Sequence, residues 1–109
     1  MICLHELKRR LYKRGSSYEI TIPMPILFGL DLSKKQKIFF SLQKGKWFIS
    51  FDKKSTPKTI ARSVYKRGSS YETTFPLQMV LQLDSNKKYD VVFKFSNMWY
   101  IEFGEASEK

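Results

Sequence analysis

The chain has 109 residues and carries 20 Lys+Arg against 10 Asp+Glu, a net charge of +10 at pH 7. That length excludes most large enzyme architectures and leaves room for one domain, or for two small units that need each other. At 42% hydrophobic and 16% aromatic, the chain is too apolar for intrinsic disorder, and its cationic excess points to a polyanion, nucleic acid before an anionic membrane.

The start, Met1 to Leu7, lacks the apolar core of a signal peptide. Lys8 to Lys13 reads as a strand. Arg14-Gly15-Ser16-Ser17 has turn chemistry, because glycine permits positive φ and serine hydroxyls bond nearby backbone. Tyr18 to Ile22 reads as a second strand. Pro23 then opens a helix of one to two turns over Met24 to Leu30, proline being suited to a first helical position. The stretch from Ile22 to Leu30, broken by Pro23 and Pro25, is far short of a membrane span. Ile38, Phe40 and Leu42 alternate with Phe39 and Ser41, which is strand periodicity. Gln43 to Lys46, with Gly45, reads as a hairpin turn into Trp47, Ile49 and Phe51. Lys53 to Lys58, polar and containing Pro57, reads as a linker.

The series then recurs. Thr59 to Lys66 and Tyr71 to Phe75 are strands, Leu77 to Leu83 is a short helix, and Val91, Phe93 and Phe95 lead through Ser96-Asn97 to Trp99, Ile101 and Phe103. The tail, Gly104 to Lys109, is mildly acidic. Tyr12-Lys13-Arg14-Gly15-Ser16-Ser17-Tyr18-Glu19 returns letter for letter as Tyr65-Lys66-Arg67-Gly68-Ser69-Ser70-Tyr71-Glu72. At that offset of 53, Tyr12 to Leu42 matches Tyr65 to Phe95 at 15 of 31 positions, where chance gives roughly two. Pro23/Pro76, Asp31/Asp84, Lys34/Lys87 and Lys35/Lys88 are among the matches, and a one-residue deletion aligns Trp47 with Trp99. The expectation is a mainly β fold with short helices, two β-β-α-β-β repeats over residues 1–54 and 55–109 that together form one compact domain. Each repeat alone is too small to bury its sheet faces. The first repeat carries net +8 and the second +2, so the first should grip a shared polyanion harder.

The run from Arg9 to Pro23 resembles the N-terminal signature of the AbrB/MazE/SpoVT superfamily: basic residue, hydrophobic residue, short glycine turn, then a strand ending Thr-hydrophobic-Pro. The Gly-Ser-Ser-Tyr variant is similar to archaeal members. Both copies carry it, and the likeness covers nearly the whole chain. The apolar Met24 and Leu77 stand where the superfamily often has a basic residue. The resemblance implies a swapped-hairpin AbrB-like β-barrel, normally a homodimer and here an intramolecular pseudo-dimer. It also implies double-stranded DNA as partner and a role in transcription regulation or chromatin. DNA would be met by the first strand and its loop: Arg9, Arg10, Lys13, Arg14, Ser16 and Ser17, with Arg62, Lys66, Arg67, Ser69 and Ser70.

Physically, Lys and Arg neutralise phosphates and release counterions, Arg reads guanine edges, and serine hydroxyls donate to phosphate oxygens. A pseudo-two-fold would set two similar basic loops on one face of the molecule, and the Arg10/Ser63 difference frees the target from strict palindromy. The bland alternative is that these cations are solvated strand faces, with Gly15 and Gly68 serving the turn, Tyr18 and Tyr71 the core, and Glu19 and Glu72 pairing with Lys13, Arg14 or their counterparts. The 17 aromatics fall mostly on the inward phase and so fill a core, while Phe39, Phe48 and Tyr100 lie on the opposite phase and mark a second interface.

Cys3 stands alone, so no intrachain disulfide forms and a reducing cytoplasm is expected, with nucleoid association if DNA is bound. Cys3 and His5 have no further ligands for zinc. No nucleophile, acid–base pair, phosphate loop or dinucleotide fingerprint stands out. The expectation is no enzyme, no cofactor and no metal. Two other functions compete. MazE-like antitoxins share the barrel but use a long C-terminal arm, and only six residues follow Phe103. RNA or the ribosome would suit the same charge.

Overall fold

The computed structural model describes residues 5–28, 30–51, 59–84, 86–96 and 98–106, with His5 described by its backbone alone. The linker expected at Lys53 to Lys58 and the residue Cys3 lie outside them. In chain order the elements are β1 (His5–Arg10), β2 (Tyr12–Arg14), β3 (Ser17–Thr21), α1 (Met24–Leu27), β4 (Gln36–Gln43), β5 (Lys46–Ser50), β6 (Thr59–Arg67), β7 (Ser70–Thr74), α2 (Leu77–Val80), β8 (Tyr89–Phe95) and β9 (Trp99–Glu105). The protein is mainly β, and neither helix is long or apolar enough to cross a membrane.

The strands form one antiparallel sheet in the order β1-β8-β9-β5-β4-β6-β7-β3-β2. Its two ends meet in the chain, since β1 and β2 are separated only by Leu11, whose N–H donates to the Tyr89 carbonyl at 3.0 Å. The sheet therefore nearly closes into a barrel. The second repeat runs the equivalent segment as one strand: β6 pairs with β4 from Thr59 to Val64 and with β7 from Tyr65 to Arg67. In both repeats the first strand pairs with the terminal hairpin of the other repeat, β1 with β8 and β6 with β4. It then turns back on its own second strand.

Two ladders are self-equivalent. Ile20 faces Thr73 between β3 and β7, and Phe48 faces Tyr100 between β5 and β9. An approximate two-fold axis thus leaves the barrel through both seams. The axis also relates the bond from Ile22 N–H to the Tyr71 carbonyl (2.8 Å) to that from Phe75 N–H to the Tyr18 carbonyl (2.9 Å).

Alternation dictates what fills the interior. Ile38 and Phe40 of β4, Ile49 of β5, Val91 and Phe93 of β8 and Ile101 of β9 are buried, as are Ile20 and Ile22. Residues of both repeats form one cluster. Phe75 joins its two sides, edge-on to Phe40 at 5.6 Å and to Phe103 at 5.8 Å, the geometry ring quadrupoles favour.

The helices are shorter than expected, one turn each. Pro23 and Pro76 occupy the cap position rather than the first helical one. Backbone at Phe28 is already extended (ψ 135°). Their inward residues, Ile26, Leu27, Met79 and Val80, plug the barrel, while Met24, Phe28, Leu77 and Leu81 are exposed. The β4–β5 turn has φ of 51° at Lys44 and 78° at Gly45. Both signs suit the primed two-residue turn that matches strand twist.

Candidate nucleic-acid interface

The β3–β7 ladder joins the two copies of the repeated octapeptide into a four-stranded ribbon, β2-β3-β7-β6. Strand alternation divides its side chains. One face carries Ile20 and Thr73, both fully buried. The other carries Arg14, Ser17, Glu19 and Thr21 with Arg67, Ser70, Glu72 and Thr74. Because β3 and β7 are antiparallel, the two Arg-Gly-Ser-Ser turns lie at opposite ends of this ribbon, not beside each other. Gly15 and Gly68 both hold φ of 64°, a left-handed conformation that a Cβ disfavours.

At the ribbon's centre four charged groups meet across the axis. Arg14 Nη1 lies 3.1 Å from Glu19 Oε1 and 3.7 Å from Glu72 Oε1. Arg67 donates from Nε to Glu72 Oε1 at 2.9 Å and reaches Glu19 Oε1 at 4.0 Å. The threonines bond across repeats, Thr21 Oγ1 to Glu72 Oε2 (3.4 Å) and Thr74 Oγ1 to Glu19 Oε2 (3.5 Å). The Glu72 side chain is 8% exposed and that of Glu19 13%, whereas Arg14 and Arg67 remain 43% and 53% exposed. Glu19 Oε1 is buried without a well-aligned hydrogen bond and is held by ion-pair proximity alone. Tyr65 and then Glu72 hold Arg67 more firmly in its charged form. The guanidinium also lies 5.7 Å from the Tyr65 ring.

The remaining expected contacts are distributed. Ser16 and Ser69 sit exposed in the two turns. Arg9 and Arg62 occupy the inward phase of their strands, opposite Val91 and Ile38. Both are half-buried, and each donates Nη1 to the carbonyl of the preceding residue at 2.8 Å. They therefore stand apart from the ribbon's outer face. Arg10 points outward but pairs with Asp90 at 3.0 Å. Lys13 and Lys66 are exposed at the ribbon's edges.

Those edges open into two equivalent grooves. One, of about 450 Å3, sets Arg10, Lys13, Tyr12 and Tyr18 against Lys87 and Lys88. The other, of about 500 Å3, sets Lys66, Tyr65 and Tyr71 against Lys34, Lys35 and Lys37. Each combines the first strand of one repeat with the turn after the helix of the other. The turn lysines were not among the expected contacts, although Lys34/Lys87 and Lys35/Lys88 are retained in both copies. Among the described residues no His, Cys, Asp and Glu cluster of metal-site size exists. No protein-family model, no curated protein and no solved structure matches the chain.

Proposed function

We propose that this chain is a double-stranded-DNA-binding protein, a transcriptional regulator or chromatin component, built as a tandem form of the AbrB/MazE/SpoVT-like swapped-hairpin barrel. The likeness rests on the repeated motif, the β-β-α-β-β order and the exchange of first strands between repeats. The observation that carries the functional reading is the four-stranded ribbon, on which Arg14, Ser17, Arg67 and Ser70 share one outward face about a two-fold axis. A two-fold array of donors suits a duplex, whose strands are themselves related by two-folds.

The glutamates orient these arginines rather than consume them. A guanidinium has five N–H donors in a planar fork, and Glu19 and Glu72 engage Arg14 through Nη1 and Arg67 through Nε and Nη2 only. The other N–H groups, fixed in direction before contact, lose little freedom when they meet phosphate or guanine. Locally the four charges cancel, so long-range attraction comes from the surrounding lysines and the chain's net +10.

An electrophoretic shift with duplex DNA and with structured RNA tests this. Duplex is expected to bind, with affinity falling about a hundredfold or more between roughly 50 and 200 mM salt. Salt-insensitive binding, or a clear preference for RNA, contradicts it.

A further inference from the structure

We infer that the two lysine grooves beside the ribbon are phosphodiester-backbone sites, one for each strand of a bound duplex, and that they are unequal. This deepens the DNA-binding reading and rests on it. The grooves border β2 and β6, the outer strands of the ribbon. The approximate axis that passes between β3 and β7 exchanges them. A duplex centred on that axis presents its two strands to them symmetrically.

Their chemistry fits phosphate. Each groove is lined by four cationic side chains and no carboxylate, with three tyrosines in the first and two in the second. Their inequality comes from one equivalent ladder pair. In the first groove Arg10 faces Asp90 and the two form an ion pair. In the second the equivalent residues are Ser63 and Lys37, so a cancelled pair is replaced by a free cation. Lys87 of the first groove is also committed, to Glu105 at 3.1 Å. Its counterpart Lys34 only approaches Asp31, at 4.0 Å. Lys35, Lys37 and Lys66 make no ion pair among the described residues. The second groove is therefore the stronger phosphate site, although the ribbon edge that forms it belongs to the less basic repeat.

The test is duplex binding by fluorescence anisotropy over a salt series for the whole chain, K35Q/K37Q and K44Q/K46Q. Lys44 and Lys46 lie at the far end of the eight-residue β4, roughly 25 Å away along the strand, and their replacement removes the same charge. All four lysines are exposed, and matching melting temperatures confirm that the variants fold. The expected result is a log–log salt slope shallower by about 1.8 in K35Q/K37Q, two contacts at ~0.9 each, with the K44Q/K46Q slope unchanged. A duplex-binding chain whose slope survives K35Q/K37Q, or falls equally in both variants, overturns the groove assignment and leaves the DNA-binding reading standing. A chain that binds no duplex at low salt overturns both.

Discussion

Four side chains on the seam between the repeats combine stability with the proposed binding surface. Glu19 and Glu72 are nearly buried, and each is neutralised by guanidinia from both repeats. Removing both arginines leaves two shielded carboxylates facing each other. R14A/R67A is therefore expected to be less stable than the parent chain, and the midpoint of chemical denaturation measures it. Replacing all four by glutamine is expected to restore most of that loss but not DNA affinity, which separates the two roles. At Asp31, hydrogen bonds from the Ser33 hydroxyl and then its N–H hold the carboxyl below the usual value of 3.8. A depressed folded pKa stabilises above the unfolded value, and that stability is lost as pH falls through the folded one. Ser33→Ala should raise the Asp31 midpoint toward the ordinary value in an NMR titration. A further strain sits at Lys44, a non-glycine residue with φ of 51°. Lys44→Asn gives the residue pair such turns favour and should stabilise by about 0.5 kcal/mol.

At the scale of the element, the first strand of each repeat does two jobs. Its first half extends the other repeat's hairpin, and its second half builds the ribbon. The hinge between them, Leu11 or Val64, keeps its side chain inward in both cases. Phe40, fully buried on the strand that accepts β6, is the anchor of this arrangement. Phe40→Ala is expected to cost about 3–5 kcal/mol by thermal or denaturant unfolding. Much of this level was legible in the sequence. Alternation gave the inward faces of β4, β5, β8 and β9, except that Leu42, expected on the same face as Ile38 and Phe40, is 49% exposed near the end of β4, and the Lys44-Gly45 turn followed from the glycine. The first helix came out shorter because the extended Phe28 leaves no second turn; α2 is equally short although its C-cap Leu81 keeps helical backbone. Strand partners were not legible, since alternation fixes which face a residue takes but not which strand lies beside it. The Arg14–Glu72 and Arg67–Glu19 contacts depend on the β3–β7 register, and the octapeptide alone left open which cations Glu19 and Glu72 would meet.

For the molecule as a whole, exchange of first strands makes the repeats interdependent. A single repeat expressed alone leaves its first strand and its hairpin edge unpaired. It is expected to be unfolded or to assemble with a second copy, as sedimentation and circular dichroism would report. The candidate site was half legible at this scale. Of the contacts that the resemblance implies, Arg14, Ser17, Arg67 and Ser70 share one face, whereas Arg9 and Arg62 are turned inward by the strand phase. The grooves were hidden because each is formed by residues from both repeats, some 20 to 80 positions apart in sequence.

The most direct measurement is an amide NMR titration of the whole chain with a short DNA duplex at low salt. Shift changes are expected along both edges of the ribbon, over residues 13–17 and 66–70, and at the lysine turns 33–37 and 86–88, with the β5–β9 seam at Phe48 and Tyr100 unmoved. Changes centred on that opposite seam, or none at all, would contradict a duplex held across the ribbon.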